Sequence, residues 1–69
     1  MLQFLKRACE SDTPIEIIYM DRNNQISQRT IKVLSISTTS MKAYCYTKRQ
    51  FRTFKIGNIL STGPIRRGA

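Results

Sequence analysis

Apolar residues at the start of the chain recur at three- and four-residue spacing. Leu2, Leu5 and Cys9 line up, with Phe4 and Ala8 beside them, which predicts a short helix within residues 1–10. Lys6 and Arg7 fall toward its solvent side and suit its end. Pro14 disfavours helical angles at Thr13 and ends the element. The pattern then changes to one of strands. Ile15 to Met20 is rich in β-branched and aromatic residues. Asp21-Arg22-Asn23-Asn24 reads as a turn, because Asn tolerates left-handed backbone angles. Gln25 to Ser37 predicts a long second strand. Its apolar positions Ile26, Ile31, Val33, Leu34 and Ile36 change phase between Val33 and Leu34, the signature of a bulge.

After a turn at residues 37–40, Met41, Ala43 and Cys45 alternate with Lys42, Tyr44, Tyr46 and Lys48. Lys48-Arg49-Gln50 turns the chain, and Phe51 to Ile56 predicts a fourth strand. Gly57-Asn58 interrupts, with room for one helical turn, before a last strand at 59–65 and a frayed tail at 66–69. One helix followed by five short strands implies a mostly β fold: a small five-stranded barrel of the SH3-like or Sm-like kind, barrel at 14–65. Closure would protect strand edges that a lone small sheet leaves open.

Sixty-nine residues make a single domain. So short a chain buries a limited share of its surface, and a second subunit is one common remedy. Cys9 and Cys45 are too few for a disulfide scaffold. No basic start is followed by a long apolar run, and no segment nears the roughly 20 apolar residues of a membrane span. The expectation is a cytoplasmic protein with two free thiols and no membrane partner.

Charge narrows the function. Glu10, Asp12, Glu16 and Asp21 are the only acids, against 12 Lys and Arg, for a net +8. With Lys6 and Arg7, the first 21 residues sum to −2. The other 48 carry ten positive charges and no negative one. Solubility alone does not require acids to be absent from two thirds of a chain. Such a field draws polyanions.

Catalysis has little to work with. There is no histidine to act as a general base. Two cysteines without histidine cannot build a four-ligand zinc site, and no glycine-rich phosphate loop is present. Cys45 reads as a small core residue, as does Cys9 on the helix face. We therefore expect no enzyme, no cofactor and no metal.

The stretch Lys42 to Lys55 interleaves cations with aromatic rings. Strand alternation puts Lys42, Tyr44, Tyr46 and Lys48 on one face. Tyrosine faces can stack on unpaired bases, at about 1–3 kcal/mol per base, while cations hold the phosphates. The same tyrosines could instead simply cover the sheet.

The run from Ala43 to Ile59 resembles the core of WYL domains. That family shows Ala-Tyr-Cys, a short basic turn, an Arg-x-Phe-(Arg/Lys)-(Leu/Ile) strand and a closing Ile; here these are Ala43-Tyr44-Cys45, Arg52-Thr53-Phe54-Lys55-Ile56 and Ile59. Ile15 to Tyr19 resembles its first strand, and Arg29-Thr30-Ile31 its Arg-x-Val opening of the second. The likeness covers about residues 14–62. The naming tripeptide falls on Thr39-Ser40-Met41, so this would be a stand-alone, divergent member lacking Trp-Tyr-Leu. Val33 replaces the usual proline, and Gly57-Asn58 the usual Asp-Arg.

The resemblance implies an Sm-like barrel that binds nucleic acid, single-stranded DNA or RNA, or a nucleotide-type ligand, in bacterial transcription regulators. The candidate contacts are Arg29, Lys42, Lys48, Arg49, Arg52 and Lys55 for phosphates, with Tyr44 and Tyr46 for bases. The alternative is a protein-interaction module or homodimeric adaptor with no nucleic-acid role, since SH3-like barrels bind peptides and open edges accept strands.

Overall fold

A computed structural model describes residues 2–65. Met1 of the expected helix and the expected tail at 66–69 lie outside them. The elements are helix α1 (Leu2–Ser11), strands β1 (Ile15–Met20), β2 (Ile26–Ile36), β3 (Ser40–Cys45) and β4 (Gln50–Lys55), a 3-10 turn (Ile56–Asn58) and strand β5 (Ile59–Pro64).

Local chemistry sets each boundary. Helix α1 ends where Asp12 takes a positive φ of 59°. The N–H of Thr13 bonds Ala8 O at 3.1 Å and that of Asp12 bonds Cys9 O at 3.3 Å. This is a Schellman cap with Asp where Gly is usual. Between β1 and β2, Asp21 Oδ1 accepts from the backbone N–H of Asn23 at 2.8 Å and of Gln25 at 3.0 Å. Asn24 takes the left-handed position, φ 61°, as its side chain tolerates. Between β2 and β3, Ser37 Oγ accepts from Ser40 N–H at 3.2 Å.

The five strands form one antiparallel sheet in the order β4-β3-β2-β1-β5. The fold is the expected one, a helix and a barrel-like five-stranded sheet, with one difference. No ladder joins β4 to β5 among the described residues, so the barrel keeps an open seam. Curvature still brings its sides together. Phe54 of β4 meets the Tyr19 ring of β1 edge-on at 4.9 Å between centroids. The N–H of Lys55 donates to Tyr19 Oη at 3.3 Å. The β2–β3 register shifts between Val33 and Ser35, where the change of phase placed a bulge.

The core is Ile15, Ile17, Ile31, Val33, Met41, Ala43, Cys45, Phe54 and Ile59, with Leu5 and Ala8 of α1 laid over it. Each large member contributes about 1.5–3 kcal/mol through apolar burial. Leu2, expected on the buried stripe, is exposed. Cys45 is fully buried, and Cys9 packs partly buried against the core with its thiol 3.5 Å from Leu34 O. No described helix is long and apolar enough to cross a membrane.

Candidate nucleic-acid interface

Alternation gives β2, β3 and β4 a core side and an outer side, and the registers line up the outer residues in rows. One row is Lys32, Tyr44 and Phe51; the next is Ser35, Lys42 and Thr53; the last pairs Ser40 with Lys55. Each row carries one lysine. Tyr44 is flanked on both sides by rings, Phe51 at 5.0 Å and Tyr46 at 5.1 Å between centroids, both edge-to-face. Such offset contacts match positive ring edges to negative faces. Phe51 is 73% exposed, so the apolar surface it presents is uncovered. Between β3 and β4 runs a shallow groove of about 200 Å³, lined by Leu34, Lys42, Ala43, Phe51, Arg52 and Thr53.

Tyr46 and Lys48 are not on the strand, as alternation from Met41 suggested. Strand β3 stops at Cys45, and residues Tyr46 to Arg49 form the turn, with Arg49 at φ 55°. The turn is pinned to β2, because the Tyr46 N–H bonds Thr30 O at 2.9 Å and Thr47 Oγ1 accepts from Thr30 N–H at 3.1 Å. Tyr46 nevertheless rejoins the aromatic group by leaning on Tyr44. Lys48 and Arg49 lie exposed in that turn.

Arg52 pairs across from Ala43, hence on the core-side phase, yet it is exposed and borders the groove with Lys42. Lys55 is exposed on the outer side, opposite Ser40.

Arg29 departs from its expected place on this face. It pairs with Ile17 in the core-side phase and is only 8% exposed. Its Nε donates to Ser27 Oγ at 3.1 Å. The guanidinium carbon lies 5.9 Å from the centroids of both Tyr19 and Phe54. Its Nη1 is buried without a hydrogen-bond partner among the described residues. Two aromatic faces return about 0.5–2 kcal/mol each, and the unpaired donor costs about 1–3 kcal/mol or more for a charged group. The physical reason for the displacement is parity. Arg29 is two residues from Ile31, so whatever buries Ile31 turns Arg29 inward as well.

Two members of the face escaped the reading of the sequence. Phe51 lies three residues from the buried Phe54 and so must point outward, a signal that alternation carries. Lys32 sits between Ile31 and Val33, both buried, by the same logic. Its ammonium lies 3.0 Å from Asp12 Oδ1. That hydrogen bond and the nearby carboxylate charge hold its pKa above the ordinary 10.5.

No protein-family model matches the sequence, and no curated protein matches it. Among solved structures, the proteasome accessory factor B/C (PafBC) of Arthrobacter aurescens shares this fold, with a TM-score of 0.80 over 96% of the chain and 21% sequence identity. The chain spans 11% of that protein's length. Likeness of this kind establishes the architecture: the helix and five-stranded sheet occur as a part of a much larger protein.

Proposed function

We propose that the chain is a non-catalytic regulatory module that binds single-stranded nucleic acid, or a nucleotide-type anionic ligand, through the outer side of β3 and β4. The observation that carries this reading is the ring cluster of exposed Tyr46 and Phe51 on either side of half-buried Tyr44, edged by Lys42, Lys48, Arg49, Arg52 and Lys55 in a part of the chain with no acid. Rings spaced this way offer π-faces to unpaired bases, and the cations neutralise the phosphates between them. Arginine adds a planar fork that fits phosphate oxygens in pairs. The WYL-like run from Ala43 to Ile59 supports the same reading, and so does a fold shared with part of PafBC.

Titration with a labelled single-stranded oligonucleotide at several salt concentrations tests it. Affinity is expected to fall by about 0.7 log units per log unit of salt for each phosphate neutralised. Undetectable binding at low salt would refute the proposal.

A second reading has its own support. Among the described residues, strands β4 and β5 each leave one edge unpaired, and a largely apolar groove of about 510 Å³ runs between α1 and β5, lined by Phe4, Ala8, Pro14, Ile15, Pro64 and Ile65 among others. Both features suit a protein partner or a second copy of the chain. A complex that survives nuclease treatment, or a dimer by light scattering together with no oligonucleotide affinity, would favour it.

A further inference from the structure

Two strand edges are open among the described residues, on β4 and on β5, and their backbones differ. In an antiparallel ladder, facing residues alternate between pairs that exchange hydrogen bonds and pairs that do not. The Ile56 N–H bonds Thr39 O at 3.0 Å, one step beyond the facing pair Ser40 and Lys55. Counting back, Phe54, Arg52 and Gln50 turn their backbone groups to β3, and Phe51, Thr53 and Lys55 turn theirs away. The Lys55 N–H agrees with this phase, since it donates across the seam to Tyr19 Oη. The N–H and carbonyl groups of Phe51 and Thr53 therefore lie on the edge, in a run from Gln50 to Thr53 that is exposed throughout. On β1, the Asp21 N–H bonds Gln25 O, one step beyond the pair Met20 and Ile26. Glu16 and Ile18 then turn toward β5, where they face Gly63 and Ser61. The β5 edge falls to Thr62 and Pro64, and Pro64 has no N–H to give. Strand β4 is the receptive edge.

Charge decides what can pair with it. Arg52 and Lys55 lie on β4, Lys48 and Arg49 in the turn before it and Lys42 on the next strand, in a part of the chain with no acid. The one ion pair among the described residues is Lys32 with Asp12. A second copy fits this edge poorly. The antiparallel register that satisfies the free groups of both residues places Phe51 across from Thr53, which sets Arg52 directly opposite its own counterpart. Like charges so placed are destabilising. The same cations that repel a copy attract a strand of opposite charge. We propose that the β4 edge takes an extended acidic segment of a partner protein as an added strand. Its backbone bonds Phe51 and Thr53, and a carboxylate stands opposite Arg52. This addition needs no stacking of a base on an aromatic ring and stands apart from the nucleic-acid reading.

The probe is a capped octapeptide that alternates threonine with glutamate. It is added to the whole isotope-labelled protein at constant ionic strength, and backbone amide exchange is followed by NMR. Exchange of the Phe51 and Thr53 N–H groups is expected to slow by about tenfold at saturation. Arg52 and Phe54, already bonded to β3, should change little. The same peptide with glutamine for glutamate should bind about fivefold more weakly. A glutamate peptide N-methylated through its central residues keeps the charge and loses the edge bonds, so it should protect neither amide. Arg52→Gln should weaken the glutamate peptide by about two- to fivefold. No protection at millimolar peptide overturns the proposal. So does protection at Thr62 in place of Phe51 and Thr53, or equal protection by the glutamine or the methylated peptide. Protection that appears without peptide and grows with protein concentration assigns the edge to a second copy and overturns it as well. Oligonucleotide binding without peptide protection leaves the nucleic-acid reading standing. Peptide protection without oligonucleotide binding removes that reading alone.

Discussion

The sheet carries the same kit of parts twice, once on each side. On the outer side, Tyr44 meets Phe51 edge-on at 5.0 Å with lysines beside them. On the core side, Tyr19 meets Phe54 edge-on at 4.9 Å with Arg29 beside them. Ring geometry is nearly identical; burial is not. Phe51 is mostly exposed and Phe54 almost wholly buried. The difference teaches that an aromatic–cation cluster has no fixed role. Hidden, its rings are cohesion and its cation a liability. Open, they form the surface on which the proposed interface rests.

The contrast breaks most readily at the two phenylalanines. Phe54→Ala should destabilise the fold by about 3–5 kcal/mol, from lost burial and the cavity left behind. A domain of this size has only about 3–10 kcal/mol to lose, so chemical denaturation of this variant should show little or no folded baseline. Phe51→Ala, which loses only its edge-to-face contact with Tyr44, should cost about 0.5–1.5 kcal/mol. Equal losses in the two variants would erase the distinction between the sides.

Binding should show the reverse order. Tyr44→Ala, which removes the central ring, is expected to weaken single-stranded oligonucleotide binding by about 1–3 kcal/mol, measured by fluorescence anisotropy, with the folded state retained. A smaller effect is expected from Lys42→Gln. It should reduce the salt slope of binding by about 0.7, the share of one phosphate on a single strand. An unchanged slope would remove Lys42 from the contact.

The smallest effect concerns Lys32, an outer cation that does have a partner. Asp12 raises its pKa above 10.5 in the folded protein. The pair's contribution is therefore complete at neutral pH and is lost as pH climbs through the raised value. Between the wild type and Asp12→Asn, the difference in Tm should be constant from neutral pH to about pH 9 and narrow above the ordinary lysine value. Lys32 is partly exposed and Asp12 largely so, which keeps the effect small.

Much of this was legible in the residues. Strand β1 was read to its ends, because Pro14 and the Asp21 turn punctuate it. The bulge in β2 betrayed itself as a slipped phase, and Gly57-Asn58 marked the 3-10 turn. The errors have separate sources. Alternation holds only while a strand lasts, and β3 ends two residues earlier than its pattern does, since Tyr46 and Thr47 spend their bonds on Thr30. Arg29 was misplaced because a residue's charge argued for the surface while its parity argued for the interior. Parity prevailed: the strand has no means of turning one residue outward without turning its buried neighbours too. The open seam between β4 and β5 was not legible at all, because closure depends on curvature summed over the whole sheet.

The bulge at Val33–Ser35 has a consequence for how the chain tolerates change in length. Removing one residue from an ordinary strand exchanges its two sides downstream, so that core positions land in water. At the bulge the ladder already carries a surplus residue, and Lys32 and Ser35 both face outward despite an odd separation. Loss of Leu34 would take up that slack and restore plain alternation, leaving the Tyr44 and Lys42 rows in place. Within β2, Leu34 is thus where a one-residue gap is expected to cost least.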